Sequence, residues 1–493
     1  MSDTTNHQRI IALEAENAAL KARIASLEAR LQLNSAPPQS LTHTTPTATP
    51  ELSAEEYLRY GRQLIMPQIG LPGQLRLKNT RVLIIGIGGL GCPAASYLSS
   101  AGVGTLGLLD HDLVELSNLH RQILHTLAYI GRPKVLSAID RLRAANPNVT
   151  YIPHITALDK ENALEIIQNY DLVLDCTDHP RVRYLVSDAA VIAGKTVVSA
   201  SALKTEGQLV VVNKPTSSEE GGRGPCYRCY WPRPPPTESV VSCGEGGVLG
   251  PVVGVMGVLQ ALEAVKIISS GALEGQRAPA SANEAAAGSP GTEGPSKPEP
   301  ASMLFFSSYS PTPFKTLRMK GRRADCISCG TPSDPALKIT ASTIPDYDNF
   351  CGPGPDAVLL DPKDRRTVME VGEMIGRENV VVVDTRDETQ FGITSVGGSR
   401  NVPFVLWQRG GKVPEEFWRA VEEEGNSADP QEEGEKGKGT KGKEVVILCR
   451  RGNDSQEAAK MVMEDPRARD WKVTDVVGGI GEWARKVGGV VEY

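Results

Sequence analysis

The chain has no excess of positive charge, no leader-like opening and no internal repeat, and each lack removes a class of protein. Its 53 Lys and Arg stand against 59 Asp and Glu, giving a formal charge of -6 and a pI near 5.8. Without a large basic surface to neutralise phosphates, nucleic acid is excluded as a direct partner. The opening MSDTTNHQRI has no apolar segment, and no run approaches the roughly 18 apolar residues of a membrane span. The expectation is a soluble, cytosolic protein that meets no membrane. Nine cysteines without a leader, one of them unpaired by arithmetic, favour metal binding and thiol chemistry over a disulfide framework.

At 493 residues the chain is too long for one hydrophobic core, and 40% hydrophobic content is enough to fill two. Ile10, Leu13, Asn17, Leu20, Ile24, Leu27 and Leu31 recur at steps of three and four, so residues 8–33 read as a short amphipathic helix. It either pairs as a coiled coil, with Asn17 setting register, or docks on its own protein. Residues 34–50, rich in Ser, Thr and Pro, read as a disordered linker that completes an N-terminal segment of 1–50. The runs VLIIGIG, TLGLLD, LVLDCTD, TVVSAS and QLVVVN then alternate with helical stretches, the pattern of an α/β domain around a mostly parallel buried sheet. This domain is placed at 51–335, with a flexible insertion over about 271–300 and a resumption at MLFFSSYSPTPFKTLRM. A connector over 336–365 leads to a smaller α/β unit over 366–493, marked by VVVVDTR, VVILCR and VTDVVGG, with a charged insertion over about 422–443.

After VLIIG comes Gly86-Ile87-Gly88-Gly89-Leu90-Gly91, a glycine turn opening a helix, and Asp110 ends the next strand. Such glycines let backbone amides approach phosphate at a helix N-terminus, and a carboxylate so placed can bind a ribose hydroxyl. Taken alone, this fits a dehydrogenase equally well. The tie is broken by Ser117-Asn118-Leu119-His120-Arg121-Gln122 and Gly131-Arg132-Pro133-Lys134. Fixed donors and cations gathered near a phosphate loop suit a triphosphate, and hydride transfer has no such need.

The ordered motifs RYGRQ at 59–63, GxGGLG, LLDHD, SNLHRQ, GRPK and LDCTD resemble the E1-like adenylating enzymes of the ThiF and MoeB type. The resemblance implies an ATP site built from Gly86, Gly88, Gly89, Asp110, Ser117, Asn118, Leu119, His120, Arg121, Gln122, Lys134 and Asp178. In it Asp110 would hold the ribose, Asn118, Arg121 and Gln122 the phosphates, and Lys134 the charge at the α-phosphate. Asp178 would hold Mg²⁺, and Arg62 would reach across a homodimer into the second subunit's site. His179 stands where the family commonly has Asn, as a second polar contact to nucleotide. The implied reaction is attack of a C-terminal glycine carboxylate on the α-phosphate of ATP, giving an acyl-adenylate and pyrophosphate.

Cys226-Tyr-Arg-Cys229 and Cys326-Ile-Ser-Cys329 form two C-x-x-C knuckles, and four paired thiolates suit one closed, structural zinc site per chain. A redox dithiol is the alternative. Their long separation is intelligible because the insertion lies between them, and such loops close at small entropic cost. Cys243, in the glycine-rich SVVSCGEGG, matches by resemblance the family cysteine that can attack the activated carbonyl. Cys176 and Cys92 read as packing thiols, and Cys351 receives no role.

VVILCR runs into Cys449-Arg450-Arg451-Gly452-Asn453-Asp454-Ser455 and then a helix. A thiol at a strand end under a loop of amides is poised to be a thiolate and to carry an anionic persulfide. Position 455 is Ser, so the C-x₅-R of a cysteine phosphatase is missing. With Asp384 and Arg386 upstream and Trp483 downstream, the stretch resembles a rhodanese domain, although Phe391-Gly-Ile-Thr replaces the usual Gly-His-Ile turn. Asp454 occupies a place where thiosulfate-using members often have a cation, which points to a protein persulfide as donor.

The two modules together resemble the Uba4 and MOCS3 type of bifunctional adenylyltransferase and sulfurtransferase. The resemblance implies two Gly-Gly acceptors, the ubiquitin-related modifier of tRNA wobble-uridine thiolation and the small subunit of molybdopterin synthase. It also implies a persulfide donor protein, either a cysteine desulfurase or a sulfurtransferase. The Cys449 persulfide would attack the acyl-adenylate and Cys243 would then resolve the acyl-disulfide, or a Cys243 thioester would form first, as in protein conjugation. An NAD-dependent oxidoreductase and a noncatalytic scaffold are the rival readings.

Overall fold

The fold is described from a computed structural model over residues 51–216, 222–234, 246–274, 301–347, 358–377, 379–408, 411–422 and 442–491. The N-terminal amphipathic stretch and linker, Cys243, Cys351 and most of the two insertions lie outside the described residues.

Eight strands form the first sheet: β1 Arg81–Ile85, β2 Thr105–Leu109, β3 Thr150–His154, β4 Leu172–Asp175, β5 Thr196–Leu203, β6 Glu206–Val212, β7 Ser302–Ser307 and β8 Phe314–Arg318. Their order is β3-β2-β1-β4-β5-β6-β7-β8, with β3 through β5 parallel and β6, β7 and β8 antiparallel. The parallel half is therefore doubly wound, as the apolar runs implied, and QLVVVN begins an antiparallel extension. Alternation along β1 explains the two-sided burial. Val82 and Ile84 enter one core, and Leu83 and Ile85 enter the other. Each such side chain contributes about 1.5–3 kcal/mol when fully buried.

Six helices serve this sheet in the account below: α1 Ala54–Leu64, α2 Gly91–Ala101, α3 Lys134–Ala145, α4 Pro180–Ile192, α5 Tyr227–Tyr230 and α6 Gly250–Ser269. Helix α6 corrects one expectation. Its 20 residues, with an 18-residue window at mean hydropathy 1.7, are long and apolar enough by length and composition to cross a membrane. Val252, Met256, Ala261, Ala264 and Ile267 instead pack with Val198 of β5 and Leu98 of α2 in the first core, so α6 is spent as a core helix.

The second sheet is wholly parallel, in the order β11-β10-β12-β13-β9, from β9 Arg365–Arg366, β10 Val380–Asp384, β11 Arg400–Asn401, β12 Glu444–Leu448 and β13 Lys472–Val476. Val381 and Val383 face a core with Trp407 and Phe417, while Val380 and Val382 face another with Trp483. Helices α7 Asp454–Glu464 and α8 Gly479–Lys486 follow β12 and β13. Strand β9 begins at Arg365, the last residue of the expected connector, and runs into the second unit. Arg365 is fixed there by an ion pair to buried Asp475 at 2.9 Å. The start of the connector is not a free tether either, because Ile339 and Tyr347 are buried and Ile339 N–H donates to the Ile327 carbonyl at 2.9 Å.

Candidate functional site

The ends of β1, β2 and β4 open on a cavity of about 890 Å³ that is lined by Gly86, Gly88 and Gly89. This is the switch point of the strand order, where ligands enter doubly wound sheets. Gly86 has φ 91°, and a Cβ there would stand 2.8 Å from the Cys176 carbonyl oxygen, so only glycine fits where the loop crosses β4. Asp110 Oδ2 accepts the Ile87 N–H at 2.7 Å and Oδ1 accepts the Asp112 N–H at 2.9 Å. The carboxylate is thus fixed at the cavity wall by the loop it faces.

Arg121, Gln122, Lys134 and Asp178 also line the cavity. Lys134 is the first residue of α3, its ammonium nearly buried and held by Asp112 Oδ2 at 2.7 Å. Asp112 was not singled out from sequence, because its partner lies on another element. Gln122 is buried, and its Oε1 has no partner among the described residues, so a polar acceptor waits at the wall for a donor.

The rest of SNLHRQ acts at one remove. Ser117, Asn118, Leu119 and His120 do not line the cavity. Arg121 donates to the Ser117 carbonyl at 3.0 Å and to Asn118 Oδ1 at 2.8 Å, and lies 2.8 Å from His120 Nε2. Burial first and the Arg121 charge second hold the His120 pKa down, so its neutral ring can accept from the guanidinium. These neighbours orient Arg121 and leave its positive charge available.

Asp178 is exposed at the cavity rim, on a loop fixed from below. Thr177 Oγ1 and Ser199 Oγ each donate to the buried Asp175 carboxylate at 2.6 Å. Arg183 lies 3.5 Å from the same carboxylate and also donates to the Thr177 carbonyl. An exposed carboxylate beside a triphosphate-sized cavity fits Mg²⁺, for which Asp178 would supply one oxygen. His179 is differently engaged: its Nδ1 accepts the Arg181 N–H at 3.2 Å and caps α4, and it does not line the cavity. Arg62 is exposed in the last turn of α1 and does not line this cavity.

The two knuckles meet. Cys226, Cys229, Cys326 and Cys329 are buried, with all four Sγ atoms within 4.8 Å of one another. Three of the separations are 3.9, 3.6 and 3.4 Å. A tetrahedral zinc with about 2.3 Å bonds sets its sulfurs about 3.8 Å apart, so the donor set fits the metal. Their mutual hydrogen bonds push Cys226 up, chiefly through Cys229, and Cys326 down, chiefly through Cys226. One shared cation would resolve that crowding. The Arg323 N–H also points at Cys229 Sγ, at 3.4 Å.

Cys449 directly follows β12, under a loop whose shape is set by glycines. Gly479, at φ 57°, lies so close beneath the Cys449 carbonyl, at 2.4 Å from where a Cβ would stand, that no side chain fits. The N–H groups of Gly452 and Asn453 point at Cys449 Sγ from 3.0 and 3.2 Å, and Ser455 Oγ lies 3.3 Å away. The expected ready thiolate needs correction. Burial first and the Asp454 charge second push the Cys449 thiol up, against the loop amides and Ser455. The nest is built for an anion, and the unmodified thiol in it stays protonated near neutral pH. Asp384 and Arg386 are both buried and paired at 2.6 Å, and Arg386 also donates to the Thr394 carbonyl at 2.7 Å, closing the Phe391–Thr394 turn.

The ThiF family model matches residues 60–327, and the rhodanese-like domain model matches residues 367–486. The adenylyltransferase and sulfurtransferase uba4 of Aspergillus terreus is 43% identical over 97% of this chain and 96% of its own length. The same-named protein of Pyricularia oryzae is 42% identical over 90% of this chain and 88% of its own. A solved structure of E. coli MccB with ATP is 20% identical, covers 59% of this chain and 77% of that one, and has a TM-score of 0.43. With both family models matched in order and relatives aligned nearly end to end, the chain belongs to the ThiF family, in its uba4 group of adenylyltransferases and sulfurtransferases.

Proposed function

We propose that the enzyme adenylates the C-terminal glycine of a ubiquitin-like sulfur carrier at the cavity and converts it to a thiocarboxylate with sulfur carried on Cys449. The observation that carries this reading is the pairing on one chain of a phosphate-type cavity holding Lys134 and Arg121 with a thiol held under two converging amides.

Adenylation needs no protein nucleophile. A carboxylate oxygen of the carrier bonds to the α-phosphorus as the bond to pyrophosphate breaks. Lys134 and Arg121 face the charge that shifts onto the phosphates, which in such sites is the main source of acceleration. Mg²⁺ held by Asp178 would neutralise further phosphate charge.

In the transfer step the outer sulfur of a Cys449 persulfide attacks the acyl carbon and AMP leaves, giving an acyl-disulfide on Cys449. Cys243 then attacks the Cys449 sulfur, the thiocarboxylate leaves, and a Cys243–Cys449 disulfide remains for a dithiol reductant. The four-thiol cluster holds one structural zinc. The acceptors are a ubiquitin-related modifier and the molybdopterin synthase small subunit, the donor is a persulfide-bearing protein, and the reaction runs in the cytosol on a homodimer with Arg62 crossing between subunits.

ATP–pyrophosphate exchange that depends on a Gly-Gly-tailed carrier, followed by mass analysis of its C-terminus, tests the reading. Exchange without thiocarboxylate in the presence of a persulfide donor would overturn the sulfur half, and no exchange would overturn the first half. With Cys243→Ala, a trapped acyl-disulfide supports the order given, whereas its absence favours a Cys243 thioester formed first.

A further inference from the structure

His125 lies between SNLHRQ and GRPK and belongs to neither motif. It is 5% exposed, with Nε2 3.0 Å from the Ile87 carbonyl and Nδ1 3.0 Å from Ser137 Oγ. A carbonyl only accepts, so Nε2 carries the hydrogen. Burial foremost holds the His125 pKa down, with the Lys134 charge adding to it. The ring is therefore neutral, Nδ1 keeps its lone pair, and the Ser137 hydroxyl donates to it. Ser137 sits on α3 one turn after Lys134, so the imidazole ties the glycine loop to the helix that carries the lysine.

The bond to Ile87 has a geometric consequence. The peptide group joining Ile87 to Gly88 is planar and trans, so its carbonyl and its N–H point in opposite directions. With that carbonyl turned inward to His125, the Gly88 N–H is turned outward, and Gly88 lines the cavity. Among the described residues no protein acceptor takes the Gly88 N–H. The other peptide of Ile87 is pinned as well, by its N–H to Asp110 at 2.7 Å. Two side chains on different elements thus fix two consecutive peptide planes of the loop. Among the described residues, the Cys92 thiol, 3.5 Å from the same carbonyl, is the one other donor to it and a weak one.

We propose that His125 is a positioning residue for phosphate binding: by holding the Ile87 carbonyl inside the fold, it aims the Gly88 amide at a phosphate of the bound nucleotide. The inference rests on the reading of the cavity as an ATP site. Its signature is selectivity within one ligand, because the amide serves the phosphates and not the adenosine.

Titration calorimetry of the full chain with ATP and, separately, with adenosine tests this. His125→Leu keeps the bulk and removes the donor. It is expected to weaken ATP binding about tenfold or more while leaving adenosine affinity within about twofold, which is the scale of one lost hydrogen bond to a charged group. His125→Gln, whose side-chain amide can still donate to Ile87, is expected to recover most of the loss. Thermal unfolding of each variant shows whether the fold survives. Equal weakening of ATP and adenosine, or His125→Leu binding ATP like the wild type, overturns the inference. Wild-type protein that binds no ATP overturns the cavity reading itself and the inference with it.

Discussion

Tyr347 Oη donates a 2.6 Å hydrogen bond to Asp188 Oδ2, across 159 residues of sequence. Asp188 is fully buried on α4 and is paired at 2.8 Å with Arg228, which stands between the two cysteines of the first knuckle. A second fastening lies nearby. Lys338 Nζ donates to the carbonyls of Ser328 and Gly330, at 2.6 and 2.7 Å, on the second knuckle. The chain that leaves the first sheet is thereby stitched to the cysteine cluster before it reaches the second sheet.

Tyr347→Phe removes one of these stitches without removing the ring. The expected result is a loss of about 1–3 kcal/mol at a buried charged acceptor, together with faster amide exchange over 338–347. ATP–pyrophosphate exchange should be unchanged, since no atom of the cavity is touched. Exchange protection equal to wild type would show that the bond does not hold the segment.

Loss of one cysteine ligand should be felt further. Cys226→Ser is expected to bring the zinc content, measured by elemental analysis, to near zero. The Tm should fall by at least about 5 °C, the shift that about 2 kcal/mol produces in a domain of this size. Exchange over 338–347 should rise as well, because Lys338 and Arg228 are fixed to the knuckles. Full zinc content in the variant would mean that the four thiols are not the metal site.

Much of this architecture was legible because apolar runs were short, bounded and separated by helix-length segments: VLIIGIG, LVLDCTD and VVILCR each became a central strand with a functional residue just past its end. Strand β3 was not, since TYIPH carries a proline and polar neighbours and earns its place only by pairing with β2. The roles inside SNLHRQ were blurred for a similar reason. Sequence places Asn118, His120 and Arg121 together, but only the tight turn decides that Arg121 faces the cavity while its neighbours hold it. Asp112 and Asp175 lie inside LLDHD and LDCTD, but their roles, like those of His125 and Arg183, rest on partners brought near by tertiary packing. The reverse error came from Cys449, where a loop of amides suggested a thiolate and burial beside Asp454 outweighed it.

Asp178 offers a test of metal at the nucleotide. Asp178→Asn keeps the shape and removes the charge, so the half-saturating Mg²⁺ in ATP–pyrophosphate exchange should rise at least about tenfold. Its loop is held by Thr177, Ser199 and Arg183 through Asp175, not by Asp178 itself, so stability should change little. An unchanged Mg²⁺ requirement with a lowered maximal rate would assign Asp178 to substrate contact instead.

The Cys449 thiol carries the last prediction, and its sign follows from the causes of its shift. Burial and the Asp454 carboxylate both raise its pKa, and only the second can be removed by mutation. In Asp454→Asn the pKa therefore falls, the thiolate fraction at neutral pH grows, and the rise of alkylation rate with pH moves to lower pH. Peptide-resolved mass spectrometry after iodoacetamide treatment measures this at Cys449 alone. The loop amides of Gly452 and Asn453 are unaffected by the change, so a persulfide should still be held. Cys449→Ala, by contrast, should abolish thiocarboxylate formation while carrier-dependent ATP–pyrophosphate exchange continues, because the adenylating cavity uses no atom of this loop. Were Asp454→Asn to shift the alkylation profile upward, the charge of Asp454 would not be what holds the thiol protonated. Its place at the start of α7, where it favours the helix, would then be its main contribution.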